Sequence, residues 1–452
     1  MKTLKSRSKL RSYLGKALNF KALALLPQRY FVILSIAASS VTGLLYLKIL
    51  QYTLGVGAIG LLSLLTATLF PLRFVDLGIS SSSLVEFSRI RKLNHLIINS
   101  YACTALAIVL CLSIFALPLC LAIAYFILKS ADVFATYSNS RLFFLISVHS
   151  LSIILGAVSQ IFASILDGLD KVRIRSLIQF SNYLLLIPVY FFLISSMGII
   201  GLSLSALIQN LLFILAYISA YPPSLRAVPS IRKVTKLFPR FLYLSSHMTM
   251  IGIPPMFFEQ LIKIYIGTSG DISFLGFYEL LVQYFSRVKL VLTSVVSSYT
   301  SSLYDLITNR SLSTNAVKYS LDTQNHRLRK YSAIIYTTCV LFLPFYLYIF
   351  GISPAIRSLI SSLGLAFAWY FNGLYTINYY CLTIAKNFSI LHLFNILLYA
   401  LAFSSAYLFS FLSPEASLLG ISIGIVFSSL VLRDSVVHNR ILEYRLNFFQ
   451  CT

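Results

Sequence analysis

Runs of about twenty mostly apolar residues recur along the whole chain, and Lys and Arg crowd into every second gap between them. That length is what an α-helix needs to cross the hydrocarbon core of a bilayer. Backbone N–H and C=O groups must be paired within lipid, so spans of this length are helices. About twelve such runs can be drawn, at 30–50, 56–79, 96–120, 142–166, 176–196, 199–220, 241–266, 272–302, 331–351, 357–384, 388–411 and 415–432. Ahead of the first stand Lys2, Lys5, Arg7, Lys9, Arg11, Lys16, Lys21 and Arg29. The even-numbered gaps hold Arg89, Arg91 and Lys92, then Lys171, Arg173 and Arg175, then Arg226, Arg232, Lys233, Lys236 and Arg240. Later even gaps hold Arg310, Lys318, Arg327, Arg329, Lys330 and Lys386, and the tail holds Arg433, Arg440 and Arg445. The odd-numbered gaps hold chiefly Lys129, with Arg141 and Arg357 at helix edges. Cytoplasmic loops carry this kind of excess. The alternation predicts an even number of spans with both termini cytoplasmic.

Composition excludes the other uses of so basic a chain. Of its 452 residues 58% are hydrophobic and only 11% charged, against about 25% in a soluble domain. The net charge of +23 therefore belongs to membrane topology and does not predict nucleic-acid binding. The six cysteines, Cys103, Cys111, Cys120, Cys339, Cys381 and Cys451, show no paired spacing and read as small apolar packers. No histidine pattern suits a metal, no cofactor motif is present, and no nucleophile–base arrangement is legible. The odd-numbered loops are too short to house an outside domain, so an enzyme site has no place there. The lead-in 1–29 reads as a basic cytoplasmic segment before a signal anchor rather than a cleaved signal. The longest basic linker, 221–240, divides an N-lobe at 30–220 from a C-lobe at 241–432, with a cytoplasmic tail at 433–452.

The two lobes carry a weak internal repeat. IGLLSLL at 59–65 matches LGFYELL at 275–281 and sets Gly60 on Gly276. At nearly the same offset Lys48 falls on Lys263 and Arg73 on Lys289. IIGLSLSALIQNLL at 199–212 resembles LLGISIGIVFSSLV at 418–431. Six helices preserve orientation, so the lobes should be related by a pseudo-two-fold axis along the membrane normal, as in parallel-repeat transporters. The expected fold is an all-α polytopic membrane protein of about twelve transmembrane helices in two six-helix lobes.

Several stretches resemble the polysaccharide flippases. FVDLGISSSSLVEFSRIRK at the end of the second span resembles a turn of Asp-Leu-Gly and small residues ahead of a basic loop. ASILDGLDKVRIRSLIQF at 163–180 resembles the stretch after the fourth helix, and MGIIGLSLSALI at 197–208 the turn between the fifth and sixth. IYIGTSGDISFLGFYELLVQYFSRV at 264–288 resembles the turn between the seventh and eighth, with Gly276-Phe277-Tyr278 where a Gly-Tyr step is usual. The resemblance implies an O-antigen-type flippase of the multidrug/oligosaccharidyl-lipid/polysaccharide exporter superfamily, in a bacterial inner membrane. Such proteins carry undecaprenyl-pyrophosphate-linked oligosaccharide from the inner to the outer leaflet. Helices one, two, seven and eight then line a central cavity. Membrane lipids, a polysaccharide polymerase and a chain-length regulator are the partners it implies.

The charges inside the spans fit that picture. A charge at the centre of a membrane helix costs about 2.5–3.5 kcal/mol, so those retained need a reason. Lys48, Arg73, Lys263, Arg287 and Lys289 all lie on helices one, two, seven or eight, and four of them form the repeat-related pairs. They are the predicted phosphate ligands, in two tiers around one cavity, since Lys and Arg supply point charges and bidentate donors. Asp76 lies three residues from Arg73, and Glu259 four from Lys263, spacings at which helical side chains pair. Glu279, deep in helix eight with no repeat partner, is a further candidate for charge pairing or proton carriage. The bland readings are snorkelling of Lys48 and Lys263 to the outer interface, and a turn-stabilising role for Asp76. A cation-coupled multidrug antiporter would call for an acid-rich site. A lipid-linked peptidoglycan precursor flippase usually carries extra helices beyond twelve. A polymerase or ligase typically has a large outside loop.

Overall fold

The computed structural model describes residues 28–130 apart from 77, 81, 84–86 and 88–94, then 138–221, 259–268, 272–298, 314–352, 356–384, 388–411 and 414–432, with short pieces at 237–239, 242–243, 245–246 and 439–441. The predicted basic lead-in, most of the linker 221–240, the start of the seventh span with Pro254 and Pro255, and most of the tail lie outside the described residues. All regular structure described is helical. In chain order α1 is Gln28–Leu54, α2 Val56–Thr68, α3 His95–Ser130, α4 Asn139–Gly168, α5 Val172–Met197 and α6 Ile199–Ala220. Residues 259–268 form α7. Then come α8 Ile272–Ser298, α9 Thr314–Ile349, α10 Ile356–Leu374, continued past Tyr375 as Thr376–Ile384, α11 Phe388–Ser410 and α12 Pro414–Ser429. Among the described residues seven helices are long and apolar enough to span a bilayer. The chain is a multi-pass all-α membrane protein with the expected two-lobe architecture.

Lipid exposure accounts for the outer faces. Phe115, Leu341 and Tyr348 are among many large side chains left exposed on long helices, which water would penalise and acyl chains do not. Among the described residues proline marks the one sharp break within a span. Pro71 lacks an N–H, and the chain leaves α2 at Thr68 for a 3₁₀ stretch, Phe70–Asp76, bent by 50°. Arg73 and Asp76 sit on that stretch.

Within each lobe equivalent helices pair. In the N-lobe α1 packs most closely on α5, α4 on α6 and α5 on α6; in the C-lobe α10 packs on α12 and α11 on α12. Tyr46 of α1 meets Tyr190 of α5 with ring centroids 5.1 Å apart, and Tyr265 of α7 meets Tyr407 of α11 at 6.2 Å. The matched glycines of 199–212 and 418–431 do matching work. A Cβ on Gly201 would lie 1.9 Å from the Leu193 carbonyl oxygen, and one on Gly420 2.4 Å from that of Ser405. Both helical hairpins thus close to backbone contact.

The lobes meet chiefly where α2 crosses α8. Both helices start at the face opposite the one where α1 begins. That second face carries the basic loops of the sequence and is termed the basic face below.

Candidate site at the crossing of the two lobes

The α2–α8 crossing is symmetric residue by residue. A Cβ on Gly60 would sit 2.1 Å from the Ile272 carbonyl oxygen, and one on Gly276 would sit 2.5 Å from that of Val56. Gly60 and Gly276 are repeat mates, and so are Val56 and Ile272. Each lobe therefore offers the other the same patch, the signature of a two-fold contact. One turn further along, Ser63 donates from its Oγ to Oε2 of Glu279 at 2.8 Å, and these two also stand 216 residues apart. The axis thus runs through a serine on one lobe and a carboxylate on the other.

Glu279 is buried and fully engaged. Lys263 lies 2.9 Å from its Oε2, and Nε2 of Gln283 donates to its Oε1 at 2.8 Å. The same lysine reaches Oε1 of Glu259 at 2.9 Å, one helical turn back on α7. Lys263 is only 5% exposed. A buried ammonium is tolerable there because two carboxylates replace its water, one of them held in turn by Ser63 and Gln283.

Beside this cluster, toward the basic face, lies a cavity of about 840 Å³ bordered by α1, α2, α4, α5, α6, α7 and α8. Its charged lining comprises Arg73, Lys263 and Arg287 against Asp76, Glu259 and Glu279. The formal charges cancel, so the expected excess of cations is not what the lining holds. The distribution of partners restores an asymmetry. Glu259 and Glu279 both bind Lys263. Asp76 does not pair with Arg73; its Oδ1 accepts from the backbone N–H of Ser80 at 3.0 Å and from the Ser80 hydroxyl at 2.9 Å. It stabilises its own turn, as the bland reading had it. Arg73 is exposed, and among the described residues no carboxylate pairs with it. Arg287, on α8, donates from Nη1 to the Ser39 hydroxyl at 3.2 Å and packs over α1 at Gly43. Two guanidiniums, one from each lobe, thus face the cavity, and among the described residues neither has a carboxylate partner.

The arrangement of helices is similar to solved transporter structures. A MATE-family multidrug resistance transporter of the MOP superfamily, inward-facing, matches with TM-score 0.65 at 14% identity, over 90% of this chain and 96% of its own. A MATE in the bent conformation matches with TM-score 0.65 at 17% identity, over 92% and 94%. The lipid II flippase MurJ in an inward closed conformation matches with TM-score 0.63 at 20% identity, over 93% and 90%. No family profile and no curated protein matches the sequence. The chain has the fold of the MOP-superfamily transporters.

Within this MOP fold the five predicted cations do not share one cavity. Lys48 lies at the seam between the lobes near the opposite face. It donates to the carbonyl oxygen of Ile349, the last residue of α9, and to Oε1 of Gln51 at 3.0 Å; Gln51 in turn donates to the Phe350 carbonyl. A lysine caps a helix C-terminus favourably, because the free carbonyls there carry partial negative charge. Lys289 faces a separate C-lobe pocket of about 50 Å³, where it donates to Oδ1 of Asn372 at 2.6 Å and lies 4.7 Å from the Trp369 ring centroid. Arg73, Lys263 and Arg287 do line the MOP-fold cavity.

Two participants were missed from sequence. Ser63 holds the repeat position of Glu279, so the sequence reading that left Glu279 without a repeat partner is corrected; the constant offset of 216 is the signal that marks it. His149 stands alone in an apolar run. It lies buried in the N-lobe with Nδ1 3.1 Å from the Ser203 hydroxyl, and no sequence pattern marks it.

Proposed function

We propose that the chain is a flippase for a lipid-linked, pyrophosphate-bearing oligosaccharide, with undecaprenyl as the lipid and a surface polysaccharide as the product. The observation that carries this reading is the pair of guanidiniums, Arg73 and Arg287, reaching one cavity from the two lobes while its carboxylates are engaged elsewhere. A pyrophosphate needs charge-assisted donors to leave the interface, and planar guanidiniums supply them in bidentate form. A cavity of this size suits a head group with part of its sugar. The α2–α8 crossing closes the path toward the opposite face, so carriage requires that crossing to part. An inside-negative potential favours outward movement of the anion by about 2.3 kcal/mol per charge per 100 mV. MurJ, named for lipid II, and the MATE multidrug transporters share the fold, and the available positive charge favours a phosphate-bearing lipid over a cationic drug. The basic face is assigned to the cytoplasm of a bacterial inner membrane, and a polymerase and a chain-length regulator are the partners proposed downstream.

Complementation of a strain lacking its polysaccharide flippase tests this reading. The wild-type chain should restore surface polysaccharide. Arg73→Ala and Arg287→Ala should each lose most of that activity at normal membrane levels, with the Lys variants retaining more. The double Ala change should cost less than the sum, since both act on one ligand. New drug sensitivity on deletion, with polysaccharide intact, would instead favour the multidrug reading. Alkaline phosphatase fusions after Thr53, Val133 and Gly270 should be active and those after Ile90, Arg232 and Ser320 silent; the reverse at Arg232 would sink the orientation.

A further inference from the structure

A second compartment lies on the other side of the α2–α8 crossing. It is a groove of about 650 Å³ at the face opposite the basic one, bordered by the end of α1, the starts of α2, α6 and α8, the α5–α6 turn and Arg141 of α4. Gly57, Ala58 and Leu61 of α2 face this groove, whereas Leu62, Ser63 and Thr66 of the same helix face the central cavity. Ile272 of α8, whose carbonyl touches Gly60, borders it as well. Cavity and groove therefore stand back to back, and the helix crossing is the wall between them.

The groove's chemistry is apolar walls with one cation. Leu54, Leu61, Met197, Ile199 and Ile200 supply the walls. Arg141 is exposed, and among the described residues no side chain or carbonyl pairs with its guanidinium; only its backbone N–H is used, by the Ser138 cap. Among the described residues no carboxylate lines the groove. The first turns of α2 and α6 also border it, and neither helix has a side-chain cap, so their free N–H groups add partial positive charge. Apolar walls with positive charge that no described carboxylate offsets, at the helix ends of this face, are complementary to one class of ligand, the phosphate-bearing end of a lipid with its first hydrocarbon units.

We infer that this groove is the receiving site for the cargo lipid's pyrophosphate once the α2–α8 crossing parts, with Arg141 as the anchoring residue. The inference rests on the flippase reading above and adds a second phosphate station to it. Arg73 and Arg287 hold the anion on the basic side of the crossing; Arg141 takes it on the other. Continuity through the α2–α8 wall argues for the transported lipid as occupant rather than a bulk phospholipid.

Photo-cross-linking of the full-length protein in phospholipid nanodiscs tests it, with undecaprenyl pyrophosphate bearing a benzophenone near the phosphate end as the probe. Labelled peptides would be mapped by mass spectrometry. Label is expected both on peptides carrying Arg287 and on those carrying Arg141 or Met197–Ile200. Arg141→Glu should lower the groove label by about fivefold or more, the loss for an exposed ionic contact reversed in sign. Arg141→Lys should keep most of it, and both variants should leave the cavity label unchanged. Unlabelled undecaprenyl pyrophosphate should compete at the groove, and phosphatidylglycerol should not. Groove label indifferent to Arg141→Glu, or displaced equally by phosphatidylglycerol, overturns the inference. Label in the cavity with none in the groove overturns it too, while the flippase reading stands. Absence of label at both places overturns both.

Discussion

The two lobes share a backbone plan and have parted in chemistry. Ser63 on α2 and Glu279 on α8 hold equivalent places on the axis, and one donates to the other. Arg73 and Lys289 are likewise repeat mates, yet Arg73 opens into about 840 Å³ while Lys289 is enclosed in about 50 Å³. Part of the reason is the helix facing each. Asn372 of α10 accepts from Lys289, whereas on the Arg73 side Gly156 of α4 borders the cavity. The N-lobe has become the half that holds open space, and the C-lobe the half that braces it through Lys263, Glu259 and Glu279. Keeping a crossing while the side chains beside it diverge is what a duplicated membrane protein can do without losing its fold.

The largest effects are expected at the crossing itself. Gly60→Leu and Gly276→Leu each drive a side chain into the partner's carbonyl, so both should cost about 3 kcal/mol or more. Thermal unfolding in detergent should show the two losses to be of similar size. Unequal losses would deny that the patch is two-fold.

Next comes the brace. Lys263→Met leaves Glu279 and Glu259 without their cation and should cost about 3–5 kcal/mol. Lys48→Met, at the repeat position, removes a carbonyl cap at the seam and should cost about 1 kcal/mol. The double change Lys263→Met with Glu279→Gln should be more stable than Lys263→Met alone, because the uncompensated charge on the axis is gone. A double variant less stable than that single one would show the brace is not an ion pair.

The third contrast separates stability from transport. Arg73→Ala should change stability by no more than about 0.5 kcal/mol, as for an exposed side chain, yet lose most complementation. Lys289→Met should do the opposite, losing about 1–2 kcal/mol as Asn372 is left without its donor, with complementation retained at matched protein level. Transport lost in Lys289→Met at normal stability would return that lysine to the cargo path. The smallest effect is Ser80→Ala. It removes one of the two Ser80 donors to Asp76 and should cost about 1 kcal/mol without altering transport, read by the same two measurements.

The fold was legible in the sequence because its causes are local or periodic. A run long enough to span lipid must be a helix, Lys and Arg mark alternate loops, and a constant offset reveals duplication; none of these needs a contact map. Even the crossing is foreshadowed, since Gly60 and Gly276, which touch across it, align in the repeat. The Glu259–Lys263 pair was legible too, being four residues apart on one helix. The tertiary structure alone decided which cations share a compartment. Arg73, Lys263 and Arg287 border one cavity, Lys289 lies behind α8 in another, and Lys48 caps α9 from the other lobe. It alone showed that Asp76 serves Ser80, and that Arg141, an edge residue in sequence, faces an apolar groove. Spacing along a helix sets which face a side chain occupies, but what that face meets depends on the rotation and crossing of helices far apart in the chain. Those follow from close packing of small residues such as Gly60, Gly201, Gly276 and Gly420, and packing between distant segments leaves no periodic trace in the sequence.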